Sequence, residues 1–266
     1  MLAVDDLDRA AACYEELGFT LTPRASHPDT MGTANRLAQF AGRNFIELLA
    51  VDRPDRLEDH DFTAEPKRFS FGAHNKAFLR MGNGMSMLAL AGTDSRADVR
   101  RFDTRGIDTY AAFDFERTAT LPDGSQARVG FTLAFATSSR MPSIAFFVCE
   151  NRFPQYFWKP EFQSHRNGAQ SIAAVYIEAD NPESHVDFLT EITGSVAQPI
   201  DGGQRIRCGT QDILVMTSER IRRLAPGRRR EKNAGPLFAG VAITSAHAVP
   251  HVVPAEQAYG IFIEWR

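Results

Sequence analysis

One spacing constrains this chain more than any other feature. Gly18, Gly106 and Gly194 lie 88 residues apart, and each follows a short stretch whose apolar residues recur at helical intervals. A helix ends readily at such a glycine, which takes a left-handed backbone conformation without steric penalty. Ahead of each helix stands a short apolar strand: LAV (2–4), SMLALAG (86–92) and QSIAAVYIEAD (170–180). Behind each come further strand-like runs. The order strand, helix, three strands therefore recurs, as in a repeated supersecondary unit.

In unit one, Ala11, Ala12, Tyr14 and Leu17 mark a helix over 8–17, followed by strands FTLTP (19–23), RLAQF (36–40) and NFIELLAV (44–51). The last is apolar enough to be buried on both faces. Unit two predicts a helix over 95–105 and strands near 107–115, 126–136 and 143–149. Unit three predicts a helix over 182–192 and strands near 195–198, 204–208 and 211–217. A fourth, eroded copy has strands LFAGVAITS (237–245) and AYGIFIEW (258–265), with a loop containing Pro and His in place of the helix. Phe45-Ile46-Glu47 returns there as Phe262-Ile263-Glu264. Two inserts break the rhythm. Residues 52–84 are expected to hold a helix. Residues 218–235 contain RIRRLAPGRRREK, a basic run with no aromatics for stacking bases, expected as a solvated surface loop. The organisation that follows is a module pair over 1–152, a connector over 153–169 and a second pair over 170–266, although 266 residues also permit one large domain.

With 43% hydrophobic and 24% charged residues, the chain has the composition of a globular protein. Thirty Lys and Arg against 33 Asp and Glu give a net charge of −3, so no overall basic field favours nucleic acid or a membrane as partner. Cys13, Cys149 and Cys208 are odd in number, widely spaced and free of any CxxC pair, which argues against a disulfide framework and for a reducing, cytoplasmic setting. The first residues turn acidic at Asp5, unlike a signal peptide, and no apolar run reaches the ~18–20 residues of a membrane span. GxSxG, P-loop and HExxH motifs are absent, and GNGMSM lacks the strand-to-helix context of a dinucleotide fingerprint.

The segments LAVDDLDRAAACYEELGFTLTP, HPDTMGTANRL and FIELLAV, in that order, resemble the glyoxalase-like proteins of the vicinal oxygen chelate superfamily. FWKPEFQSHRNGA (157–169) and VYIEADNPE sit where two-part members carry similar stretches. The resemblance implies an α+β fold in which βαβββ modules form half-open, mixed β-sheet barrels with helices outside. It also implies a concave ligand site, often with one divalent metal ion (Zn, Ni, Fe or Mn), and a homodimer. Because one fold hosts many chemistries, the implied function is either metal-assisted lyase, isomerase or dioxygenase chemistry on a small oxygenated metabolite, or metal-free binding and sequestration.

Glu47 is the first candidate. The resemblance gives its strand a glutamate metal ligand. From the residues alone, an acid between Ile46 and Leu48 is either buried and compensated, as a ligand or general base, or faces solvent or pairs with Arg36. Metal-binding relatives carry a histidine in the opening strand. That place falls just before Met1 in unit one, at about Leu88 in unit two and at about Ala174 in unit three, while Glu150 and Asn151 end the unit-two strand. The ligand set is thus incomplete: residues upstream are missing, the metal is held differently, or none is bound. His27 opens HPDTMGTAN, whose loop can present Asn35 and Arg36, and His165 follows Trp158 and Phe162 as cavity walls. Glu47, His27 and His165 are the expected catalytic residues, with Asn35, Arg36, Trp158 and Asn151 binding ligand. His60, His74, His185, His247 and His251 read as surface or loop positions. Cys149, in IAFFVC, reads as a core thiol. The 20 phenylalanines point to a dry aromatic interior whose rings can also face a ligand.

Overall fold

The computed structural model describes residues 1–120, 126–227, 235–247 and 249–266. Unit one comprises β1 (Leu2–Ala3), α1 (Leu7–Glu16), β2 (Ala25–Ser26), β3 (Thr33–Gln39) and β4 (Phe45–Val51), and is followed by α2 (Phe71–Phe78) within the first insert. Unit two comprises β5 (Gly84–Met85), β6 (Met87–Gly92), α3 (Ser95–Thr104), β7 (Asp108–Thr109), β8 (Phe113–Thr120), β9 (Gln126–Thr137) and β10 (Ala145–Asn151). After α4 (Pro154–Phe157), unit three comprises β11 (Ala169–Glu178), α5 (Val186–Thr193), β12 (Ala197–Ile200), β13 (Gly203–Cys208) and β14 (Gln211–Met216). Next come α6 (Ser218–Leu224), β15 (Leu237–Ser245), β16 (His251–Val253) and β17 (Phe262–Trp265).

The repeat has a structural rule. In every unit the opening strand runs parallel to the closing one: β1 with β4, β6 with β10, β11 with β14 and β15 with β17. The strands between are antiparallel, and the result is the α+β arrangement of βαβββ modules with curled, mixed sheets. Asp6 and Asp94 cap α1 and α3 by accepting hydrogen bonds from backbone N–H groups one to two residues into each helix. Gly18, Gly106 and Gly194 all take positive φ, at 91°, 68° and 67°, and turn the chain out of these helices.

FTLTP forms no strand: residues 19–24 run as irregular backbone, tied to β3 where Thr22 N–H donates to the Leu37 carbonyl, and pairing begins only at β2. The basic insert also differs from the expectation of a solvated loop. Its first part is α6, whose Ile221, with Leu224 and Ala225, packs on Ala174, Tyr176, Leu214 and Met216 of the C-terminal sheet. The rest of the run, residues 228–232, lies outside the described residues.

The two halves differ at the seam between their units. In the C-terminal half, β11 pairs with β15 from Ala169 to Glu178. In the N-terminal half, β1 contributes Leu2 and Ala3 alone, opposite Leu48 and Leu49 of β4 and opposite β5. The N-terminal half holds two sheets, with β4 in one and β6 in the other. Two apolar clusters meet there. One, of Ile46, Leu48 and Val148 with α1, α3, α5 and the C-terminal sheet, fills the space between the halves. The other, of Leu49, Phe71, Phe131, Leu133 and Phe147, lines the concave face of the N-terminal sheets. No helix among the described residues is long and apolar enough to cross a membrane.

Candidate functional site

Alternation along two strands builds the site. Asn35 pairs with Leu49 and Leu37 with Glu47, so the odd-numbered residues of β3 and β4 share one face. That face is the concave one, and Glu47 and Asn35 stand on it as diagonal neighbours, both at least nine-tenths buried. Asn35 Nδ2 donates to Glu47 Oε1 at 2.7 Å. The same Nδ2 lies 3.3 Å from His27 Nε2, and that nitrogen is 3.8 Å from Glu47 Oε1. His27 Nδ1 meets Thr33 Oγ1 at 2.9 Å. The turn carrying His27 is held from behind, since Arg53 donates through one nitrogen to the His27 and Thr33 carbonyls at 3.0 and 2.9 Å. Phe71 and Phe115 enclose the imidazole edge-on at 5.6 and 5.7 Å.

These groups open into a cavity of about 980 Å³. Phe131, Phe147, Cys149, Asn151, Phe157 and Trp158 continue its wall. Cys149 is close enough to Glu47 for the carboxylate's charge to add to burial, and together they push the thiol up to about 12. It is therefore a protonated wall thiol and not a nucleophile. All three cysteines are free.

The structure thus brings together His27, Asn35 and Glu47, with Trp158 and Asn151 further along the wall. Arg36 and His165 stand apart from them. Arg36, at an even position of β3, faces the helix side, where it donates to the Thr22 carbonyl at 2.9 Å and to Glu15 Oε1 at 2.7 Å. His165 is a strut between the halves: Nδ1 accepts from Thr20 N–H at 3.0 Å, and Nε2 donates to the Gln39 carbonyl at 2.7 Å. Phe19 and Phe40 flank its ring, and burial lowers its pKa. Sequence reasoning missed Phe71, Phe115 and Phe131 as site residues. The signal was the phenylalanine count together with odd-position alternation in β8 and β9.

The unit-two counterpart of Glu47 is Phe147. Leu2 and Leu90 each lie four residues before a helix-capping Asp, and they pair with Leu48 and Val148 respectively. One residue earlier on the closing strand is Glu47 in one unit and Phe147 in the other. Glu150 points to the helix side and accepts from the Ser95 N–H at 3.1 Å. Glu264 is occupied by Tyr176 and Arg266. The donors at the site do not fit a divalent ion: the shared vertex between Glu47 Oε1 and His27 Nε2 is filled by the Asn35 amide. No cluster of three or more His, Cys, Asp or Glu suited to a metal occurs among the described residues.

A family model described as a glyoxalase-like domain matches residues 1–193. The fold is similar to that of a hypothetical protein from Staphylococcus aureus, at 14% identity and a TM-score of 0.73, covering 99% of this chain and 95% of that one. It is also similar to the Mn(II)-bound glyoxalase from Novosphingobium aromaticivorans, at 14% identity and a TM-score of 0.54, covering 99% of this chain and 79% of that one. No curated protein matches the chain.

Proposed function

The chain belongs to the glyoxalase-like domain family of the vicinal oxygen chelate superfamily, its first 193 residues matching the family model, and on that premise we propose that it binds a small, oxygenated, hydroxyl-bearing metabolite in this cavity with Glu47 as proton acceptor. The observation that carries the reading is a carboxylate, 6% exposed, that accepts from Asn35 and lies beside His27 on an aromatic-walled cavity. A buried acid is stabilised by hydrogen bonds, and a ligand hydroxyl in the cavity can donate one more to it. In this reading Glu47 takes a proton from a hydroxyl or from a C–H beside a carbonyl, while His27 Nε2 and Asn35 fix the ligand's orientation. Water kept out by Phe71, Phe115 and Phe131 strengthens each of these contacts. Arg53, by tying the His27 turn to β3, acts as a positioning residue.

Incubation with simple 2-hydroxyketones in D2O, followed by proton NMR, tests the proposal. The native protein is expected to exchange the C–H next to the carbonyl, and Glu47→Gln to slow that exchange at least ~100-fold with an unchanged melting temperature. Equal exchange by both proteins removes Glu47 from the chemistry. Phe147 at the position equivalent to Glu47 favours a second reading, sequestration without turnover. Saturable quenching of Trp158 fluorescence without any exchange supports that reading.

A further inference from the structure

One side chain of β3 holds the connector between the halves against the site. Gln39 is 2% exposed and uses both ends of its amide on backbone 118 and 120 residues away: Nε2 donates to the Phe157 carbonyl at 2.8 Å, and Oε1 accepts from the Lys159 N–H at 3.1 Å. Trp158, the residue between, is extended, with φ −81° and ψ 115°. The amide therefore pairs with this short stretch as a neighbouring strand would, with one bond on each side of Trp158. Gln39 is fixed in turn, since its backbone stands opposite Phe45 of β4 and its carbonyl accepts from His165 Nε2 at 2.7 Å.

What this clamp holds is the last link in a chain of rings. Phe157 meets Phe45 at 5.5 Å and Phe131 at 5.7 Å, both edge-on, and Trp158 meets Phe157 at 4.9 Å and Phe45 at 6.0 Å. Phe131 stacks on Phe115 at 5.1 Å, and Phe115 meets the His27 ring. The rings thus run unbroken from the imidazole beside Glu47 to Trp158, on contacts made by the His27 turn, β4, β8, β9 and the connector.

We propose that Gln39 is a positioning residue that sets Phe157 and Trp158 as the aromatic end wall of the site, and thereby its preference for a ligand bearing an aryl group on the side away from Glu47. The inference rests on the reading of Glu47 above for where the ligand's reacting end lies. An aryl group against this wall gains ring–ring contacts that a methyl group in its place does not. Without the Gln39 amide the Phe157 carbonyl and the Lys159 N–H lose their partners, and the segment gains by moving toward water to recover them.

The test compares hydroxyacetone with 2-hydroxyacetophenone, in which a phenyl group replaces the methyl, by deuterium exchange and by calorimetry. Gln39→Met keeps the side-chain length and removes both hydrogen bonds. It is expected to lower the preference for 2-hydroxyacetophenone about 3- to 10-fold, the worth of one aromatic contact, with the loss in KM and not in kcat, because the wall binds ground and transition states alike. In a Trp265→Phe background, where Trp158 is the one remaining tryptophan, its emission is expected to shift to the red and to be quenched more strongly by acrylamide. If Gln39→Met does not fold, Gln39→Glu, which keeps the bond from the Lys159 N–H, takes its place. Trp158→Ala is expected to cause the same loss of preference, with Gln39→Met adding nothing further to it. Additive losses, a loss that falls equally on both ketones, or an unshifted Trp158 emission overturns the inference. Exchange by the native protein with a preference that Gln39→Met leaves untouched overturns it too, while keeping Glu47 as base. Binding of 2-hydroxyacetophenone without exchange, weakened by Gln39→Met, removes Glu47 from the chemistry and leaves the wall standing. Native protein that binds neither ketone overturns both.

Discussion

Replacing Phe146 with alanine is expected to lower stability by about 3–5 kcal/mol, the range for emptying a fully buried phenylalanine site. Phe146 is 1% exposed, and its ring meets Phe188 of α5 at 5.3 Å and Phe238 of β15 at 5.5 Å, both edge-on. Strand β10 of the N-terminal half thus inserts a ring between a helix and a strand of the other half. Nothing nearby can swing in to fill the space, because Ile144 and Val148 on the same face are themselves buried in the cluster. Urea unfolding at neutral pH is the measurement, with Phe62→Ala as control. Phe62 is 51% exposed, and its loss should change stability by no more than about 0.5 kcal/mol. A Phe146→Ala effect below ~1 kcal/mol would show that the halves are not locked together through this ring.

Acid is expected to weaken the fold well above the range where carboxylates protonate. His74, with its ring 5.5 Å from Phe69 and Nε2 donating to the Ser86 carbonyl at 3.3 Å, is lowered by burial from 6.5 to about 4. The unfolded chain therefore takes up a proton at this residue before the folded one does. A group held below its unfolded pKa in this way costs nothing at neutral pH; the penalty starts as pH falls through about 6.5 and is complete below about 4. At about 1.4 kcal/mol per pH unit, the full loss from His74 is ~3 kcal/mol. Burial lowers His60, His165 and His185 as well, so their contributions run in the same direction. Urea midpoints at pH 7 and pH 4.5 should fall clearly for the native protein and distinctly less for His74→Gln. A stability that stays level over that interval contradicts the assignment.

These histidines mark where the sequence stops being readable. His74 and His185 lie in polar surroundings, FGAHNKA and NPESHVD, and both read as surface positions. Yet His185 is 6% exposed and His74 packs on Phe69, because rings and strands distant in sequence close over them. The strands were legible where apolar alternation was strong, as in β3, β4, β10 and β11. FTLTP failed as a strand although β3 runs beside it, because side chains take over the ladder: the Leu37 N–H donates to the Thr22 hydroxyl and the Thr22 carbonyl accepts from the Arg36 side chain. For the candidate site, Glu47 could be found because an acid in an apolar strand must be compensated, and His27 and Asn35 because they share one turn-to-strand segment. Which face Glu47 takes was not readable, since β4 is buried on both sides.

The helix that follows β14 has a consequence for counting. In the N-terminal half the concave face stays open as a cavity, whereas in the C-terminal half Ile221, Leu224 and Ala225 are seated against the equivalent surface. Duplication of the modules thus does not double the capacity: a titration of the whole chain should saturate at one molecule per polypeptide, with a single-site isotherm and no cooperativity within the chain.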